Sequence, residues 1–176
     1  MNLAVFVAFA LLALLQPALA QSPYAGMQHR PIKALSENQV ADLEAGRGMG
    51  LALAAELNGY PGPSHVLELA DQLKLSVEQK DRIRQLFDTM KAEALPLGRQ
   101  LLGEEAALDH AFASRSITVE RLKEATEQIG ATQARLRNAH LKYHLSTVQI
   151  LSADQVKRYS ALRGYDSGAP AHRHRH

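Results

Sequence analysis

Leu-Ser-x-x-Gln pentapeptides open three apolar-periodic segments of this 176-residue chain: Leu35-Ser36-Glu37-Asn38-Gln39, Leu75-Ser76-Val77-Glu78-Gln79 and Leu151-Ser152-Ala153-Asp154-Gln155. Each reads as a helix start. The Ser side chain at the N-cap accepts the N3 backbone N–H, and the N3 Gln side chain reaches back to the N-cap amide. Val40 and Val156 stand at N4, where they staple to Leu35 and Leu151. At the second copy Lys80 holds that place, with only its aliphatic stem to pack. On this reading the motif is a structural cap.

The second and third copies bracket two amphipathic segments joined by Ala113-Ser114-Arg115-Ser116. In the first, Ile83, Leu86, Phe87, Met90, Ala94, Leu97, Leu101, Leu108 and Phe112 recur at helical spacings. The stripe keeps its phase across Pro96, so a single helix bent near Ala92 is expected, with Gly98 easing the bend. Thr118 caps the second segment. Its seam alternates large and small residues: Leu122, Ala125, Ile129, Thr132, Leu136, Ala139, Tyr143, Ser146 and Ile150. The short connection forces the segments antiparallel, as a hairpin about 50 Å long.

Shorter helices flank it. Ser36 starts one that runs to Ala45, Gly46-Arg47-Gly48-Met49-Gly50 interrupts it, and Leu51 to Leu57 resumes it until Asn58-Gly59. The Gly segment follows no strand and lacks Gly-Lys-Ser/Thr, so it is a joint or a close helix contact, not a phosphate loop. Ser64 is expected to cap a helix from Val66 to Leu73, and Ala153 to Arg163 forms the last helix. The fold class is therefore all-α: a long bent antiparallel hairpin with shorter flanking helices. One seam buries too little apolar area alone, so flanking helices are expected to cover part of it, the rest being covered by a second chain or left as exposed apolar surface. Leu141, Leu145 and Val148 lie opposite the seam and call for a third layer, a partner or a client.

Residues 1–20 read as a signal peptide. The apolar run Leu3 to Leu15 is short for a membrane span, and Ala18-Leu19-Ala20 supplies the cleavage pattern. That places the mature start at Gln21 and the protein in the periplasm, with no membrane span after cleavage. Residues 21–34 read as a disordered leader, 35–165 as the helical domain and 166–176 as a disordered tail. The formal charge of +2 is too small to argue for nucleic acid, and the absence of cysteine leaves any metal to His, carboxylate or Met.

His140 and His144 lie one helical turn apart at the edge of the seam, within reach of solvent, and could share a zinc or copper ion. A further ligand would have to complete the site; otherwise they are ordinary helix-flank residues. His65 and His110 stand alone. In the tail, His172, His174 and His176 alternate with arginines, so this segment is either a chelator or a solvated basic tail. No enzyme constellation emerges, since the histidines have no Ser or Asp partner at motif spacing. No cofactor is required.

The paired Leu-Ser-x-x-Gln motifs around a helical hairpin, behind a signal peptide, resemble the Spy/CpxP family, which includes ZraP-type zinc-associated proteins and CnrX-type metal sensors. The resemblance covers about Leu35 to Tyr165. It implies a cradle-like homodimer that acts as an ATP-independent chaperone, as an inhibitor of an envelope-stress sensor kinase, or as a metal-responsive protein. Ser replaces the family's Thr in each copy, a mild change because both cap helices. The sensor subgroup carries a His pair in its first helix, and the first helix here has none. The expected function is binding of unfolded or misfolded envelope proteins, or of a sensor-kinase periplasmic domain. The alternative is heavy-metal binding or sensing with zinc, copper or nickel.

Overall fold

The computed structural model describes residues 23–165. The signal sequence assigned to residues 1–20 and the tail histidines His172, His174 and His176 lie outside the described residues. Among those described there are six α-helices and no strand: α1 Glu37–Ala45, α2 Leu53–Glu56, α3 Pro63–Glu68, α4 Val77–Ala113, α5 Val119–Val148 and α6 Ala153–Leu162. Of the segment read as a leader, residues 23–34 form turns and a 3-10 turn at Met27–His29, and Lys33 Nζ lies 2.9 Å from Asp109 Oδ2.

α4 and α5 make the dominant contact of the fold as an antiparallel hairpin. The pairing order is explicit: Glu93 on α4 meets Lys142 and Tyr143, whereas Glu104 further along meets Thr132. The 37 residues of α4 pass through Pro96 without a break. Both Pro96 and Ala92 face outward, so water can take the carbonyl that the missing proline N–H leaves free.

Three capping boxes start α1, α4 and α6. Ser36 Oγ accepts from Gln39 N at 3.2 Å while Ser36 N donates to Gln39 Oε1 at 2.9 Å. The same exchange occurs at Ser76 with Gln79, both at 3.1 Å, and at Ser152 with Gln155, at 3.2 and 2.9 Å. Thr118 Oγ1 accepts from Arg121 N at 3.2 Å to start α5. Ser76→Ala and Ser152→Ala are each expected to lower stability by about 1 kcal/mol in urea melts.

Apolar burial falls into two clusters. At the open end of the hairpin, Val66, Leu73, Leu75, Ile83, Leu151 and Tyr159 pack together where α3 and α6 close the structure. In the middle, Leu43 from α1 sits on Ala94, Leu101, Ile129 and Leu136. Towards the tip, among the described residues, Phe112, Val119 and Leu122 are left exposed. Phe112 and Leu122 thus keep helical phase with the stripe but lie beyond the third layer. Thr147, fully buried and hydrogen-bonded to the Tyr143 carbonyl at 2.7 Å, replaces Ser146 at the end of the seam.

Gly98 has a packing role besides the one its place near Pro96 suggests: a Cβ there would lie 2.4 Å from the Leu43 carbonyl oxygen, so it is the point where α1 touches α4. Two local expectations need correction. The helix expected from Leu51 begins only at Leu53, because Met49 (φ 45°) and Gly50 (φ 77°) hold left-handed backbone before it. The next helix starts earlier than Ser64 would place it. Gly62 is its N-cap and Pro63, with φ pre-set, its first residue, and it ends at Glu68.

Candidate functional site

Two of the three capping-box glutamines meet each other. Gln79 Nε2 donates to Gln155 Oε1 at 2.9 Å and Gln155 Nε2 returns the bond to Gln79 Oε1 at 3.0 Å. Each amide also reaches a backbone carbonyl, Gln79 to Ile150 at 2.9 Å and Gln155 to Leu73 at 3.3 Å. The two helix starts are thereby tied side by side, so the motif is a tertiary clasp as well as a cap. A cap alone accepts Glu at N3. The clasp does not, because a carboxylate has no N–H to give and would face its partner's oxygen. Gln79→Glu or Gln155→Glu is therefore expected to cost about 1–3 kcal/mol, whereas Gln39→Glu, which keeps only its box, should change the urea midpoint little.

Beside the open end lies a cleft of about 480 Å³. The Gly46–Gly50 segment, Glu56, Gly62, His65, Lys91, His140, His144, Arg163 and Tyr165 line it. Its polar centre is Glu56, which is buried. Tyr159 and Tyr165 hydroxyls both donate to Glu56 Oε1, the second at 3.2 Å. His65 Nδ1 lies 3.2 Å from the same oxygen, and Gly62 N donates to Oε2 at 3.1 Å. Burial pushes the Glu56 carboxyl up. Hydrogen bonds from His65 and Tyr159, the His65 charge and the Gly62 amide outweigh it and bring it down to about 2. The same contact pushes the Tyr159 hydroxyl well above the usual range, with burial the larger cause. One carboxylate thus joins α2, α3, α6 and Tyr165, which follows α6.

His140 and His144 are not at a wet edge. They are 3% and 7% exposed, because the chain between α1 and α3 folds over them. Gly48 backs the His140 ring, and Gly62 lies so close to His144 that a Cβ would come within 2.8 Å. His144 Nδ1 donates to the Tyr60 carbonyl at 2.6 Å and sits 3.7 Å from Glu56 Oε2. His140 Nε2 is buried without a hydrogen-bond partner. Burial, and then the neighbouring His144, hold the His140 pKa below the ordinary 6.5. The described residues contain no group of three or more His, Asp or Glu placed to hold a metal ion. His65, which stands alone in the sequence, is brought to Glu56, while His110 remains on the exposed side of α4.

Sequence reasoning missed Glu56, Tyr159 and Tyr165. No local pattern marks them, since Glu56 sits in a helix of four residues and its tyrosines come from more than a hundred residues away. Leu145, opposite the seam, is exposed, as are Leu53, the first residue of α2, and Leu57, its C-cap; α2 packs against α5. No helix among the described residues is long and apolar enough to cross a membrane.

Among the described residues, fold and site together define an all-helical protein: a capped hairpin closed at one end by short helices around a buried carboxylate. The chain belongs to the LTXXQ motif family, the family of Spy/CpxP-like proteins, which matches residues 63–163. That span holds the second and third pentapeptides, the two whose glutamines clasp. The known members are non-enzymatic accessory proteins of the periplasm. No curated protein and no solved structure matches the chain.

Proposed function

We propose that this protein is an ATP-independent holder of partly folded envelope proteins, working in the periplasm as a homodimer. The observation that carries the reading is apolar surface left exposed among the described residues. Phe112, Val119 and Leu122 stand out at the hairpin tip, and Leu53, Leu57 and Leu145 are exposed elsewhere. Contacts of this kind gain about 25 cal/mol per Å² of apolar area and have no directional demand, which suits a surface for many non-native clients. Charged neighbours such as Arg121, Lys123 and Lys142 keep the free protein in solution.

The test is aggregation of a chemically denatured client, followed by light scattering without nucleotide, with and without zinc or copper. Suppression independent of metal is the expected result. Suppression seen only with metal, or metal binding with no suppression, overturns the reading in favour of a metal-dependent protein. Dimerisation has its own readout. The thin two-helix tip calls for a partner, so the melting temperature should rise with protein concentration. A compact monomer in sedimentation at tens of micromolar, with a constant melting temperature, would remove the dimer.

A further inference from the structure

The residues that close the cleft are held on α5 through two imidazoles. Gly48 rests on His140 and Gly62 on His144, and the Tyr60 carbonyl takes the His144 Nδ1–H. The fit requires neutral His140, since its Nε2 is sealed from solvent without an acceptor. We propose that His140 is an acid-sensitive latch: protonation in the closed form is opposed, so falling pH releases residues 46–62 from α5 and opens the cleft.

The charges around the latch decide its sign. On its own helix the neighbour is His144, a second cation when protonated. From α4 comes Lys91, from the α1–α2 connection Arg47, and from the chain after α6 Arg163, all cationic and all lining the same cleft. The carboxylates are Glu56 and Glu68 from α2 and α3. Glu56 is already engaged by two tyrosines, the Gly62 amide and His65. His65 Nδ1 and His144 Nδ1 lie 3.2 and 3.7 Å from Glu56 oxygens. A proton arriving on His140 meets burial and another histidine. Because the closed form holds His140 below its free value near 6.5, closure is complete above that pH. It weakens as pH falls below it, at most about tenfold per pH unit for one proton. Glu56 does not interfere, since it stays ionised down to about pH 2.

Opening would uncover apolar surface on α5 beside Leu53 and Leu57; this consequence rests on the client-holding function proposed above, whereas the latch does not. Hydrogen exchange tests the latch on the full chain. Protection factors of residues 46–62 are measured from pH 7.5 to 4.5 against those of the α4 core, in wild type, His140→Leu and His140→Gln. All three are first checked for native melting at pH 7.5, so that if one variant misfolds the other serves. Wild type should lose protection in this segment by up to about tenfold per pH unit below 6.5, and the variant should lose less than twofold over the whole range. Equal loss in wild type and variant, or none in wild type, overturns the latch. Client suppression is read in parallel. Opening without a gain in suppression leaves the latch standing and removes the client role of the uncovered surface. A gain that survives His140→Leu overturns the latch as its cause.

Discussion

Replacing Glu56 with alanine is expected to lower stability by about 3–5 kcal/mol, the usual cost of removing one side of a buried charged network. The change leaves the Tyr159 hydroxyl, on a residue only 1% exposed, without its acceptor and strands the Gly62 amide. Glu56→Gln should cost less, because an amide oxygen still accepts from Tyr159. The pH dependence separates charge from shape. The Glu56 carboxyl falls from 4.5 to about 2 in the fold, which corresponds to roughly 3 kcal/mol. A depressed acid stabilises above its unfolded value, so this share is present above pH 4.5 and is lost as pH falls towards 2. Urea melts at pH 7 and pH 3 should show the gap between wild type and Glu56→Gln shrinking at the lower pH. A gap that stays constant would mean that the carboxylate charge contributes nothing to the fold.

The second large effect concerns a residue that packing, not flexibility, requires to be glycine. Gly98→Ala sets two terms against each other. Alanine favours a helix interior over glycine by about 1 kcal/mol. The new Cβ, however, would stand 2.4 Å from the Leu43 carbonyl oxygen and 3.1 Å from its carbon, both backbone atoms that cannot turn aside. α1 must therefore shift, and Leu43 with it, from the cluster formed with Ala94, Leu101, Ile129 and Leu136. Overpacking costs typically about 1–3 kcal/mol, and a clash with backbone stands at the upper end, so after the propensity gain of about 1 kcal/mol a net loss of about 2 kcal/mol is expected. Gly103→Ala and Gly130→Ala are the controls. Nothing lies within 4 Å of a Cβ at either position, so each should gain up to about 1 kcal/mol. Thermal melts of the three variants decide the matter, and a stabilised Gly98→Ala would show that α1 is not seated on α4 at this point.

The all-α class and the hairpin were legible in the chain because they depend on interactions three or four residues apart. Ser76 and Gln79 can be read as a helix start from their spacing alone, and the phase of Ile83, Met90, Ala94 and Leu101 marks a buried face wherever the rest of the chain goes. Family membership was legible for the same reason, being carried by short motifs and their spacing. What the glutamines do beyond capping was not legible, since Gln79 and Gln155 are 76 residues apart and meet only once the hairpin has returned α6 to the start of α4. The histidines show the limit most sharply. Their spacing puts His140 and His144 on one face of α5, but it says nothing of Gly48 and Gly62, which cover them and turn an expected solvent-facing pair into a sealed one. Glu56 reads as one more solubilising charge until Tyr159, Tyr165 and His65 arrive from three other parts of the chain. Periodicity fixes which face of a helix is apolar. Only the arrival of distant segments decides which polar group on that helix loses its water, and hence which one carries a shifted pKa, a stabilising network or a switch.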